Sequence, residues 1–123
     1  MLYNELGKTG LEVSRLGFGT MRLPTINSNA DIDESEASAM LKYGIENGIN
    51  IIDTAFPYHS VGIDGNGNSE RFVGEFLKEN DLRDEILLQT KSPSWLIEKK
   101  EDFDTYLDLQ LEKLQTDYVY IYL

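Results

Sequence analysis

Short apolar runs alternate with amphipathic stretches along this chain. Ile51 and Ile52 lie in a run too short for a helix, and residues 85–91 form a second such run. A glycine-rich run, residues 15–21, precedes them, and a β-branched and aromatic run, residues 118–123, ends the sequence. We predict a strand for each of the four runs.

Three stretches between these runs carry apolar residues at the three- and four-residue spacing of helices that bury one face. Asp33 stands in a capping-box relation to Glu36, Ser69 can cap the second helix, and the third begins near Glu101. The predicted buried faces are Ala37, Met40, Leu41 and Ile45 in the first helix, Phe72, Val73, Phe76 and Leu77 in the second, and Phe103, Leu107, Leu111 and Leu114 in the third.

The order of these elements favours a parallel sheet. Residues 2–14 alternate in polarity around glycines 7 and 10, which predicts a leading β-hairpin. The strand–helix alternation that follows implies parallel strands with right-handed crossovers, in either an open doubly wound sheet or a closed barrel. Gly17 and Gly19 begin like a dinucleotide-binding loop, but Arg22 replaces the third glycine. A barrel of such units needs about 250 residues, so four strands and three helices are roughly half of one.

Charge and composition narrow the partners. Eleven basic residues against 22 acidic ones give a net charge of −11, which opposes nucleic acid and anionic membranes as partners. No apolar run approaches the ~20 residues of a membrane span, and no signal peptide is evident. The sequence has no cysteine, which excludes disulfides, thiolate metal sites and a cysteine nucleophile. We expect a soluble, cytoplasmic protein of one domain.

Three side chains suggest proton transfer. Asp53 ends one predicted strand, Tyr58 lies in the loop after it, and Lys91 ends the next strand. Neighbouring strands lie about 4.8 Å apart, so the lysine can reach the acid and the phenol. An ammonium beside a phenol stabilises its anion, which makes the phenol a better acid. Taken singly, each residue also has a purely structural explanation as a loop-bonded acid, a half-buried aromatic or a solvated strand end.

Four motifs resemble, in order, the signatures of the aldo-keto reductase family, and the resemblance covers residues 2–123. Residues 95–97 together with 101–104 are similar to a bacterial subgroup that often carries a C-terminal iron–sulfur extension. The four motifs are residues 17–21 (GFGTM), 53–58 (DTAFPY), 88–91 (LQTK) and 114–118 (LQTDY).

The resemblance implies an α/β fold, the N-terminal half of a (β/α)8 TIM barrel with parallel strands, with residues 1–123 as one partial domain. It implies reduction of an aldehyde or ketone by NADPH, with Tyr58 as general acid and Lys91 and Asp53 tuning it. The family's histidine would come about two residues after Leu123. We therefore expect the chain alone to be weak or inactive.

The resemblance also implies binding roles. Gly19, Thr20, Met21 and Asp53 would contact the cofactor, while most cofactor contacts come from the second half of the barrel. Trp95 is a candidate wall of the substrate pocket, although packing on the barrel rim explains it equally well.

The one histidine in the sequence, His59, is open to two interpretations. We expect a solvated loop imidazole. The alternatives are that it lines the substrate pocket or that it partly substitutes for the missing family histidine.

Two other interpretations remain. Asp64, Asn66, Asn68 and Glu75 occupy positions one, three, five and twelve of an EF-hand loop, but Ser69 stands where glycine is required. We favour a flexible insertion over residues 60–68 and expect no metal. The chain could also be a non-catalytic half-barrel, either a regulatory module or one that associates, with itself or with another chain, through open strand edges.

Overall fold

The computed structural model describes residues 1–62 and 65–123. Within these residues, no helix is both apolar and long enough to cross a bilayer. A hairpin comes first, and a strand–helix alternation follows. The elements are β1 (Tyr3–Glu5), β2 (Glu12–Ser14), β3 (Phe18–Gly19), α1 (Glu34–Glu46), β4 (Ile51–Asp53), α2 (Ser69–Glu79), β5 (Leu87–Thr90), α3 (Lys100–Leu114) and β6 (Ile121–Tyr122).

The hairpin prediction is confirmed. Strands β1 and β2 pair antiparallel, with Asn4 opposite Val13. Gly7 and Gly10 have positive φ angles of 59° and 76° in the turn between them, a conformation that glycine adopts without steric penalty.

The four later strands form one parallel sheet in the order β3-β4-β5-β6. Strand order follows chain order without the reversal that marks a doubly wound sheet. The register aligns Gly19 with Asp53, and Asp53 with Gln89. A row of residues therefore crosses the sheet at the carboxyl ends of its first three strands.

The two outer strands are shorter than the sequence suggests. Residues 15–21 and 118–123 were predicted as strands, yet β3 and β6 each contain two residues. Each outer strand has a single neighbour, so only the residues that reach this neighbour's backbone form ladder bonds.

The predicted face of α2 is confirmed, because all four of its apolar residues are buried. The predicted faces of the other two helices are confirmed in part, since Ala37, Leu41 and Leu114 are buried. Met40 of α1 is 43% exposed and Gly44 is buried, while Phe103 of α3 is 47% exposed and Gln110 is fully buried. The buried core consists of Leu23, Ile32, Ala37, Leu41, Ile52, Phe72, Val73, Phe76, Leu77, Ile86, Leu88 and Leu114.

One helix cap matches the prediction and one does not. Asp33 caps α1 by accepting a hydrogen bond from the Glu36 backbone N–H at 3.1 Å. Ser69 does not cap α2, since Asn68 holds the cap position and Ser69 is the first helical residue. The Ser69 hydroxyl instead points inward and donates to the Thr20 hydroxyl at 2.8 Å.

Candidate active site

Asp53 and Lys91 form an ion pair where β4 and β5 end. Lys91 Nζ lies 2.6 Å from Asp53 Oδ1 and 2.7 Å from Oδ2, and it also donates to the Thr54 carbonyl at 3.0 Å. An ammonium has three donors, and these contacts use all of them. Both side chains keep contact with solvent, at 31% exposure for Lys91 and 29% for Asp53. The ammonium therefore has a fixed direction and remains accessible to solvent.

Gln89 is a further partner of this pair that the sequence analysis did not identify. Its Nε2 donates to Asp53 Oδ1 at 2.5 Å. Gln89 lies directly opposite Asp53 in the β4–β5 register, and it precedes Lys91 by two residues, the spacing that puts side chains on one face of a strand. Strand register was the signal that could have revealed it.

Tyr58 lies beside the ion pair. Lys91 Nζ is 4.8 Å from the centroid of the Tyr58 ring, within the range at which a cation and an aromatic ring attract each other. Because the three ammonium donors are already bonded, the lysine acts on this residue through its charge. The structure therefore brings together the three residues that the sequence predicted as a proton-transfer site, while their roles stay predictions.

Backbone hydrogen bonds from the segment before α2 hold the main chain at Tyr58 in place. The Tyr58 carbonyl accepts a bond from the Ser69 N–H at 3.2 Å, and the Gly67 N–H donates to Phe56 O at 2.9 Å. A Cβ built on Gly67 would collide with the backbone of Pro57 and Tyr58. Close backbone approach thus requires glycine at this position.

A cleft of about 440 Å³ opens next to Tyr58 and Lys91. Its walls are largely apolar and include Phe103 and Trp95, which is 48% exposed. The predicted pocket residue Trp95 therefore lines the same cleft as Tyr58 and Lys91. Substrate binding by Trp95 remains a prediction.

His59 is not the solvated loop imidazole that we expected, because only 2% of it is exposed. Its Nδ1 lies 2.7 Å from the Asn29 carbonyl, and its Nε2 accepts the Leu23 N–H at 3.2 Å. Its φ of 60° places it in the left-handed region, which histidine adopts more readily than most residues. The ring joins the loop after β3 to the loop after β4. It also borders a cleft of about 320 Å³ that Tyr58 and Met21 share.

The predicted cofactor residues at the end of β3 differ from one another in exposure. Gly19 is exposed, with open space where a Cβ would stand, and Met21 is 49% exposed. Thr20 is fully buried, and its hydroxyl donates to the Asp53 carbonyl at 3.0 Å. Gly19 and Met21 are accessible to a ligand, while the Thr20 side chain fastens β3 to β4.

The EF-hand alternative rests partly on Asp64, which lies outside the described residues. Asn66 Oδ1 accepts a bond from Lys113 Nζ at 2.5 Å, and Glu75 pairs with Arg71 at 2.6 Å. Ser69, at the position that requires glycine, begins a helix. These contacts occupy oxygens that a calcium ion would need.

A sequence model of the Aldo/keto reductase family matches residues 15–123. This chain belongs to the aldo/keto reductase family. Among curated proteins, the aldo-keto reductase YhdN of Bacillus subtilis (strain 168) is 31% identical over an aligned length of 136 residues. The match covers 99% of this chain and 37% of that protein. The chain thus spans about 37% of the length of this relative.

Solved aldo-keto reductases share the fold. The holo form of one from Bacillus halodurans is 34% identical, with a TM-score of 0.73, and the match covers 99% of this chain and 39% of that one. One from Klebsiella pneumoniae, in complex with NADP and acetate, is 29% identical with a TM-score of 0.69, covering 90% and 35%. These neighbours are (β/α)8 barrels, so the predicted fold class, part of such a barrel, is confirmed.

Proposed function

We propose that this chain carries the proton-transfer half of a carbonyl reductase active site. The substrate would be an aldehyde or ketone, whose carbonyl carbon accepts a hydride while its oxygen accepts the proton of the Tyr58 phenol. The phenolate left behind is stabilised by the Lys91 charge, and Asp53 holds that charge in place. The observation that carries the proposal is the position of Lys91 Nζ, which is 2.6 Å from the Asp53 carboxylate and 4.8 Å from the centroid of the Tyr58 ring.

The cofactor we propose is NADPH, which supplies the hydride when bound. The residues at the rim fit its nicotinamide end for two reasons. The space where a Gly19 side chain would stand is open, and Gly19 pairs in register with Asp53. Gly19, Met21 and Asp53 would hold this group, with Thr20 fixing the strand end beneath them. An NADP complex of a family member supports the choice of cofactor.

The mostly apolar cleft beside Tyr58 supports a small-molecule substrate rather than a polymer. The net charge of −11 supports the further prediction that neither nucleic acid nor an anionic membrane is a partner. A cytoplasmic location and one partial domain over residues 1–123 complete the proposal.

The decisive experiment transplants residues 1–123 into YhdN in place of the region they match and measures NADPH oxidation with 4-nitrobenzaldehyde. We expect the chimera to reduce the aldehyde and Tyr58→Phe to lower its kcat by about 100-fold or more, because the general acid is lost. Tyr43→Phe is the matched control, since Tyr43 lies on α1 and is 71% exposed. A Tyr58→Phe chimera with undiminished kcat would exclude the proposed role.

The chain by itself is expected to oxidise NADPH negligibly with the same aldehyde, since it spans little more than a third of its relatives. Robust turnover by the 123-residue chain would contradict this expectation.

The second candidate is an association module, and exposed apolar surface at the sheet edges favours it. Near β3, Leu16, Met40 and Tyr43 line a groove of about 480 Å³, while Tyr120 and Leu123 are exposed near β6. Unpaired strand edges and apolar patches promote self-association. Light scattering tests this candidate, and a clean monomer at high concentration would argue against it.

A further inference from the structure

A buried polar cluster lies behind the candidate site, between the sheet and helices α2 and α3. We call it the Gln110 cluster, and it consists of Glu70, Thr90, Gln110, Lys113 and Tyr122. Glu70 is fully buried, and its Oε1 accepts bonds from Thr90 Oγ1 and Gln110 Nε2, each at 2.6 Å. Its Oε2 accepts from Lys113 Nζ at 2.8 Å. The cluster joins two helices to β5, the strand that leads to Lys91.

Gln110 also contacts the backbone of Lys91. Its Nε2 lies 3.0 Å from the Lys91 carbonyl oxygen. The last backbone bond between β4 and the end of β5 runs from Thr54 N to Gln89 O. Successive carbonyls along a strand point to opposite sides, so after Gln89 the next carbonyl on the β4 side is that of Lys91. At this level β4 has already ended, because its last residue is Asp53. Gln110 supplies the donor that the ladder lacks.

The orientation of the Gln110 amide follows from its neighbours. Tyr122 donates its hydroxyl to Gln110 Oε1 at 2.8 Å, which leaves the NH₂ group facing Glu70, Thr90 and Lys91. A flipped amide would set its oxygen against the Glu70 carboxylate. Burial, with a smaller contribution from the Glu70 charge, raises the pKa of the Tyr122 phenol, so it remains a donor. The donor is therefore directed at the Lys91 carbonyl.

We propose that Gln110 is a positioning residue for Lys91: its amide, held by Glu70 and Tyr122, fixes the backbone after β5 and thereby the direction in which the ammonium reaches Asp53 and Tyr58. This inference rests on the proposed function only for the catalytic importance of Lys91. The geometric claim concerns the chain itself and holds whether or not it turns over a substrate.

The test is Gln110→Met in the 123-residue chain, a substitution that keeps the side-chain length and removes the donor. NMR reads the carbonyl ¹³C shift of Lys91 and the NOEs between its ε protons and the Tyr58 ring. We expect the carbonyl resonance to move upfield, as it does when a hydrogen bond is lost, and the NOEs to weaken or disappear. Glu112→Gln is the matched control, because this exposed residue lies two positions away on α3. Its spectra should show both signals unchanged.

A folded Gln110→Met chain that keeps the carbonyl shift and the NOEs would overturn the proposal. Should Gln110→Met fail to fold, Tyr122→Phe removes only the bond that orients the amide, and a smaller change in the same two signals is expected. Unchanged signals in a folded Tyr122→Phe chain would likewise overturn it. Loss of the NOEs combined with an active Tyr58→Phe chimera would leave the positioning role intact and reject the proposed function alone.

Discussion

Two lysine–carboxylate pairs in this chain have similar N–O distances and very different surroundings. Lys91 and Asp53 meet at 2.6 Å at the rim of the sheet, where each is about 30% exposed. Lys113 and Glu70 meet at 2.8 Å behind the sheet, where Glu70 is fully buried and Lys113 is 13% exposed. Distance alone does not separate their roles. Access to solvent and ligand leaves the rim pair available for chemistry, while the buried pair can only stabilise or position.

The two pairs also differ in how the remaining lone pairs and donors are used. Glu70 has additional partners, Thr90 and Gln110, that lie in the protein interior. A buried carboxylate requires such partners, because a buried charge without them carries a large desolvation penalty. Asp53 also has a further partner, Gln89, but at the rim water can replace a lost partner because both side chains are partly exposed.

The largest effect is expected for Glu70→Ala. This change removes the buried acceptor of Thr90 and Gln110 and the charged partner of Lys113, which keeps only the neutral Asn66 oxygen. We expect the unfolding free energy to fall by about 3–5 kcal/mol. Urea unfolding measures the difference, with Glu79→Ala at the exposed end of α2 as the control. A loss below about 1 kcal/mol would place the buried pair in the class of surface ion pairs and end the contrast.

A smaller effect is expected for Asp53→Asn. Water can compensate Lys91 at the rim, so we expect a loss of about 1 kcal/mol in unfolding free energy. Added salt should reduce this difference, because exposed charges are screened, and should leave the Glu70→Ala difference nearly unchanged. Urea unfolding at low and high salt provides the measurement. Equal losses at the two sites, both insensitive to salt, would show that the rim pair is a structural pair like the other.

The smallest effect is expected for Glu34→Gln, which removes a third ion pair on the surface. Arg71 lies 2.7 Å from Glu34, with both side chains well exposed, and it keeps its second partner, Glu75, at 2.6 Å. The pKa of Arg71 is raised, chiefly by its hydrogen bond to Glu34, and a guanidinium stays charged at neutral pH even without such a partner. We expect a loss of no more than about 0.5 kcal/mol, measured by thermal or urea unfolding. A larger loss would show that exposure is a poor guide to the strength of these pairs.

The sequence predicted a residue's location where that location depends only on the strand or helix to which the residue belongs. Asp53 and Lys91 end strands that apolar runs mark clearly, and parallel strands bring their carboxyl ends to one edge. The face of α2 was also predictable, since four apolar residues repeat at helical spacing and all are buried.

The sequence was less informative where a polar residue is buried by partners far along the chain. Gln110 and Glu70 are 40 positions apart, yet each explains why the other is buried. Periodicity assigned Phe103 to the core and passed over Gln110. The same reasoning placed His59 in solvent, although its ring bonds to backbone groups of residues 23 and 29. Such positions depend on tertiary contacts, which a local pattern does not contain.

Gly67 has a consequence for any redesign of the loop beside Tyr58. The segment predicted above as an insertion, residues 60–68, borders the cleft beside Tyr58 and is a natural choice for randomisation when the shape of that cleft is to be changed. One position in it presses directly on the main chain that carries the phenol. A library that allows side chains at Gly67 would displace the Tyr58 main chain, and with it the proposed proton donor, so the loop can be varied without moving Tyr58 only while this glycine is retained.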